Sequence, residues 1–213
     1  MIRRAEENIY VPLGDIDMEV FVTPEPVAFQ DRTKGKRITP KKGDYWGELW
    51  DCGWFHFTGR IPQEAKGKKG VLYLDIHGEL CVFDSEGTPV EGLTSGSSSM
   101  NPACGSPKKR EYVLSECAQG GEEIDIWTDA GCNDLFGAYP EVGRIEFADI
   151  CICRENVKAL YYDAAILEDL RKELPQDSAR HQKILRALFE ASLKLWDFTD
   201  EEVEEARKIL AVE

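Results

Sequence analysis

Across residues 52–154 the chain alternates short apolar-rich runs with clusters of Gly, Pro, Asp and Ser. Turn residues at that spacing punctuate strands rather than helices. The runs fall at 52–61, 71–77, 79–84, 111–114, 122–128 and 144–153. In the second of them Leu72, Leu74 and Ile76 lie on one face and Tyr73, Asp75 and His77 on the other. That period of two predicts a strand with one face in a core. Pro62 ends the first run, and Ser85-Glu86-Gly87 supplies a turn after Asp84. An alternating run at 16–23 predicts an earlier strand, whereas 33–43 reads as loop. A meander or jelly-roll sandwich follows, and the expected fold class is mainly β, a jelly-roll-like antiparallel β-sandwich.

Beyond Cys153 the apolar period lengthens to about 3.6. Val157, Leu160, Tyr161, Ala164, Leu167, Leu170 and Leu174 form a helical stripe that stops at Pro175. Asp177 or Ser178 can cap a second helix carrying Ile184, Leu185, Leu188, Phe189, Leu195 and Trp196. Thr199 can cap a third, with Glu202 reaching back as in a capping box. The sequence therefore divides into a β-sandwich domain over 1–154 and a C-terminal α-helical segment over 155–213. Trp196, Phe198, Ile209 and Leu210 fall on a short acidic tail with little left in the chain to cover them, so residues beyond Asp197 are expected to need a partner surface. The Ser-rich stretch at 94–107 is too polar to order itself and reads as a mobile loop.

With 42% hydrophobic and 31% charged residues among 213, the chain is long enough to bury a real core. A formal net charge of -14 argues against nucleic acid and anionic lipid as partners. No segment is apolar for the roughly 18 residues that a membrane span needs, and the start shows no leader pattern, so a cytoplasmic protein is expected. Seven cysteines without a repeated spacing are expected to be reduced thiols, most of them buried.

Candidate chemistry is sparse. The three histidines, His56, His77 and His181, fall in different elements, and no Cys-x-x-Cys pair occurs, so no metal ligand is assigned. Cys151 and Cys153 share a face of one strand, as buried thiols or as a ligand pair, and Cys81 with His77 is a conceivable nucleophile pair. Glycoside hydrolysis needs two carboxylates about 5 to 10 Å apart, and forty acidic residues nominate none. The aromatic cluster Tyr45, Trp46, Trp50, Trp54, Phe55 and Phe57 reads either as core or as a sugar-stacking surface. On the second reading Trp46 and Trp50, with Asn133 and Phe136 of the turn at 132–137, are the candidate carbohydrate-binding residues.

The segment CGWFHFTGRIPQEAKGKKGVLYLDIHGELCVFDSEGTPVEGL resembles the region before the catalytic domain of glycoside hydrolase family 38 α-mannosidases of the cytosolic and vacuolar type. The resemblance rests on Trp54-Phe55, Ile61-Pro62, Gly67-Lys68 and the hairpin residues Asp84, Gly87, Pro89, Val90, Gly92 and Leu93. It continues through Glu111-Tyr112-Val113-Leu114, Gly120-Gly121-Glu122 and Cys132-Asn133-x-Leu135-Phe136-Gly137, covering about 46–195. The chain departs from the family in its Ser-rich loop and in an N-terminal strand where relatives look helical. The resemblance implies a non-catalytic N-terminal domain that packs on and supports a catalytic domain of the same polypeptide, which hydrolyses terminal α-linked mannose. It implies no catalytic residue and no cofactor in this chain, with zinc held by the catalytic domain behind a Gly-x-His-x-Asp motif that is absent here. Mannosides are candidate ligands, and a homo-oligomer is compatible with the sequence. The alternatives are a free-standing carbohydrate-binding module and an independent hydrolase built on acidic residues.

Overall fold

A computed structural model describes residues 1–94, 109–133 and 143–211. The chain divides into two compact units, one formed by 12–152 and the other by 1–11 with 153–213. The first eleven residues thus group with the helices, whereas a division after residue 154 assigns them to the sandwich.

Among the described residues the strands are β1 (Tyr10–Asp15), β2 (Asp17–Thr23), β3 (Lys36–Ile38), β4 (Cys52–Arg60), β5 (Gly70–Asp75), β6 (Glu79–Phe83), β7 (Pro89–Thr94), β8 (Glu111–Ser115), β9 (Glu123–Gly131) and β10 (Phe147–Cys153). They form a four-stranded sheet ordered β1-β10-β5-β8 and a six-stranded sheet ordered β3-β2-β4-β9-β6-β7. The pairings β2–β4, β4–β9, β9–β6 and β5–β10 are antiparallel. The mainly β jelly-roll expectation is met.

Alternation along the strands decides what lies inside. Phe55 and Phe57 of β4, Val20 of β2, Ile124 and Ala130 of β9 and Val82 of β6 project into one core with Leu72 and Leu74 of β5 and Ile150 of β10. The opposite face of β4 carries Trp54, whose ring meets Phe29 at 5.6 Å and Phe83 at 4.9 Å while its Nε1–H donates to the Val27 carbonyl at 3.1 Å. Arg32 lies over Phe29 and Trp127, at 3.9 and 4.5 Å from the ring centroids, so the segment between β2 and β3 covers this outer aromatic face. A cation over an aromatic face stabilises such a cover by about 1 kcal/mol.

Three short elements escaped the sequence reading. β3 lies within the stretch read as loop, because only Ile38 marks its inner side and Lys36 and Arg37 dominate the run, as suits an edge strand. β1 is interrupted in sequence by Pro12 and Gly14. A six-residue helix, α1 (Ile2–Glu7), is too short to show a period. The Ser-rich stretch lies largely outside the described residues.

The helical unit adds α2 (Glu155–Glu173), α3 (Ala179–Ser192) and α4 (Asp200–Leu210), each touching the other two, with α1 against α2. α2 ends because Pro175 forces Leu174 into extended backbone. Ser178 caps α3 by accepting from the His181 N–H, and Thr199 with Glu202 forms the capping box of α4. The buried His181 ring lies 3.1 Å from the Arg171 carbonyl through Nδ1, which must therefore donate, leaving Nε2 to accept from Arg171 Nη1 at 3.2 Å.

The expectation that the tail lacks anything to pack on is corrected. Phe198 is 2% exposed, and Val203, Ala206 and Leu210 are buried with it in the helical unit. The turn before α4 is held tightly, since Phe198 has φ +56 and its carbonyl accepts from Arg154 Nη2 at 2.5 Å while the Arg4 guanidinium lies 4.9 Å from its ring. Trp196, two residues earlier, is 77% exposed. Phe198→Ala is therefore expected to cost about 3 kcal/mol and Trp196→Ala less than about 0.5 kcal/mol in urea unfolding. Equal losses for the two variants would contradict this placement.

Candidate functional site

The site is built on the segment between β3 and β4. Gly43 N–H donates to the Ile145 carbonyl at 2.8 Å, Ile145 N–H returns to Asp44 at 2.9 Å, and Trp46 N–H donates to Gly143 at 2.8 Å. These bonds lay the segment along the start of β10. Trp46 then turns inward. It is 2% exposed, its Nε1–H donates to the Ile76 carbonyl at 3.0 Å, and its ring meets Phe55 edge-on at 5.1 Å. Gly53 is required beneath it, because a Cβ there would come within 2.8 Å of the indole. Gly143, at φ +74, is required likewise, since a Cβ would lie 2.5 Å from the Gly47 carbonyl oxygen.

Residues 48–51 close into a tight turn. Asp51 Oδ2 accepts the Glu48 N–H at 2.9 Å, and the Asp51 N–H donates to the Glu48 carbonyl at 2.9 Å. Trp50 N–H donates to the Cys132 carbonyl, and Cys132 N–H to the Asp51 carbonyl, both at 2.8 Å. Held on both sides, Trp50 adopts φ +76, a left-handed conformation that costs a bulky residue roughly 1 to 2 kcal/mol. Trp50 is 67% exposed, and Leu49 before it and Tyr45 at the start of the segment are exposed too.

The structure thus separates the candidate residues. Trp46 is core and offers no face to a ligand. Trp50 presents a bare indole, and Asn133 follows directly on the Cys132 backbone that holds the Trp50 turn. Asn133 Oδ1 is buried with no hydrogen-bond partner among the described residues and lies where a Cβ on Gly131 would come within 2.6 Å of it. Phe136 lies outside the described residues. Leu49 was missed in the sequence because a lone Leu beside Trp50 carries no periodic signal; the Gly47 and Asp51 turn residues around it were the only hint.

The remaining candidates lie apart from this turn in the sequence. Among the described residues no group of three or more His, Cys, Asp and Glu could hold a metal ion. His56 Nε2 lies 2.8 Å from Asp125 Oδ1 and stacks on Trp127 at 4.1 Å. Burial, with Asp129 nearby, raises the Cys81 and Cys52 thiols, and burial pushes Cys132 up to about 11 with help from Asp51. Thiols shifted this way are poor nucleophiles at neutral pH. The described cysteines other than Cys117 are buried or half-buried thiols, and Cys117 is exposed. No described helix is long and apolar enough to cross a membrane.

Two antiparallel sheets closed over one core, with a pinned aromatic turn, define a jelly-roll module. Residues 11–151 match the family described as the jelly roll domain of alpha-mannosidase, and the chain belongs to that family. It is 26% identical over 184 residues to human alpha-mannosidase 2C1, an overlap of 81% of this chain and 16% of that protein. It is 23% identical over 195 residues to alpha-mannosidase G of Dictyostelium discoideum, covering 84% of this chain and 17% of the relative. With the alpha-mannosidase of Saccharomyces cerevisiae it shares 29% over 179 residues, 77% of this chain and 15% of the relative. The chain therefore spans about a sixth of the length of these relatives.

Two outcomes are expected at this site. Trp50→Gly relieves the left-handed strain and leaves stability unchanged or raises it by about 1 kcal/mol, whereas Trp46→Ala costs about 4 kcal/mol in urea unfolding. A loss of more than about 2 kcal/mol for Trp50→Gly would contradict the exposed placement. In mass-spectrometric alkylation of the native chain at pH 7.5, Cys117 reacts first and Cys132 is modified only on unfolding; equal rates would contradict the burial of Cys132.

Proposed function

We propose that this chain is the non-catalytic N-terminal part of an α-mannosidase of glycoside hydrolase family 38, packing on and supporting a catalytic domain of the same polypeptide. The observation that carries the proposal is the match of 11–151 to the alpha-mannosidase jelly roll, in relatives about six times as long as the stretch they share with it. Hydrolysis of a terminal α-linked mannoside needs a carboxylate pair flanking the scissile bond. The proposal assigns that pair, and the zinc, to the catalytic domain and none of either to this chain. Thiols at all six described cysteines suit the reducing cytoplasm, which is the proposed location.

A second reading has one specific observation in its favour. Trp50 holds a bare indole face outward in a turn pinned by three backbone bonds and a carboxylate, an arrangement able to stack on the C–H face of a mannoside. On that reading the chain is a free-standing carbohydrate-binding module.

The reading frame beyond the codon for Glu213 separates the two, together with two assays. The primary proposal expects the frame to continue into a Gly-x-His-x-Asp motif and the longer product to hydrolyse an aryl α-mannoside. It expects the 213-residue chain alone to hydrolyse none and to retain no zinc after dialysis. A stop codon there, with mannobiose binding this chain at a Kd well below about 1 mM and lost in Trp50→Ala, would favour the module. Chelator-sensitive turnover by this chain alone would overturn both.

A further inference from the structure

Apolar side chains run further round α3 than packing within the helical unit uses. Ile184, Ala187, Leu188 and Ala191 are buried. On the adjoining face Leu185, Phe189 and Leu193 follow one another at four-residue spacing, which places them in a single row. Leu193 still has helical backbone, at φ -72 and ψ -13, and Trp196 lies three residues further along the chain, past the end of α3. All four are exposed, Phe189 at 61%. Their combined apolar surface is roughly 500 Å², near the top of what a monomeric protein leaves open to water. The Arg4 guanidinium holds the backbone at the end of the row by donating to the Leu195 and Trp196 carbonyls at 3.0 and 2.6 Å. The Trp196 side chain is therefore presented from a fixed backbone.

We infer that this row is the surface by which the helical unit docks onto the remaining part of a longer polypeptide. The inference rests on the proposal that such a part exists. Area selects that occupant over a second copy of this chain. Roughly 500 Å² per side falls short of the ~800 Å² per partner of a stable free-standing complex. Two such sides bury about 1,000 Å², within the roughly 600–1,500 Å² typical between domains of one chain, where the covalent link supplies the effective concentration. The relatives are long enough to supply the other side, since this chain overlaps only 16% of the human protein. The partner surface must be apolar and concave, with separate pockets for Phe189 and Trp196 as anchors.

Hydroxyl-radical footprinting of this chain and of the longer polypeptide tests the assignment. Oxidation of Phe189 and Trp196 is expected to fall at least about tenfold in the longer polypeptide. The double variant Phe189→Glu with Leu193→Glu is expected to leave the melting temperature of this chain within about 2 °C, because both positions are exposed. The same variant should weaken association of this chain with a separately expressed remainder by about 100-fold. Undiminished oxidation in a longer polypeptide that hydrolyses α-mannosides would overturn the docking surface and leave the functional reading intact. Dimerisation of this chain at micromolar concentration, abolished by the double variant, would overturn the choice of occupant. A longer polypeptide without α-mannosidase activity would remove the functional reading, and the docking assignment with it.

Discussion

The sandwich depends on β4 being held from both faces at once. Its inward residues Phe55 and Phe57 stack on one another at 5.7 Å inside the core, and its outward Trp54 lies under Phe29 and Phe83. A strand buried on both sides cannot slip by one residue without exchanging Trp54 for Phe55 between the outer face and the core. β4 also pairs along its length with β2 and β9, so its register sets theirs. Burying these aromatics stabilises the unit by about 1.5 to 3 kcal/mol for each fully buried ring.

That constraint extends to the exposed turn. Trp46 packs on Phe55 and so fixes where the chain enters β4, while Cys132, just past β9, fixes the turn from the other side. Between them residues 48–51 have no freedom left, and Trp50 takes a left-handed conformation with its ring in water. The helical unit shows a related arrangement. Arg4 and Arg154 hold the carbonyls before α4, Phe198 is driven inward, and Trp196 is left outside. Each unit thus fixes one exposed tryptophan by burying its neighbour in sequence.

Much of the sandwich was legible because its central strands carry strong alternation. β5 announced itself through Leu72, Leu74 and Ile76, although Val71 and Asp75 on its other face are buried as well. The caps at Ser178 and Thr199 were readable because their chemistry is local, a side-chain oxygen and a nearby N–H. Other short elements were not readable. β3 and α1 owe their order to pairing or packing with residues distant in sequence, and their own patterns are too short. The aromatic cluster was visible, but sorting it was not. Trp46 and Trp50 lie four residues apart in a segment with no period, so only the tertiary bonds to Ile76 and Cys132 decide which is core. The tail misled for the same reason, since the cover for Phe198 and Leu210 comes from α2, α3 and the N-terminal Arg4, which local sequence does not bring together.

The proposed function makes this chain a structural part of a larger mannosidase and not a self-sufficient module. Thermal unfolding followed by isotope-edited infrared spectroscopy tests it most directly, because docking on a second domain must stabilise the docked one. For a chain of this size each kcal/mol of coupling raises the melting temperature by about 2 to 4 °C. The account predicts that the transition of these residues, followed through an isotope label confined to them, moves up by at least about 5 °C when they are part of the longer polypeptide. An unchanged melting temperature, with the two parts unfolding independently, would contradict it.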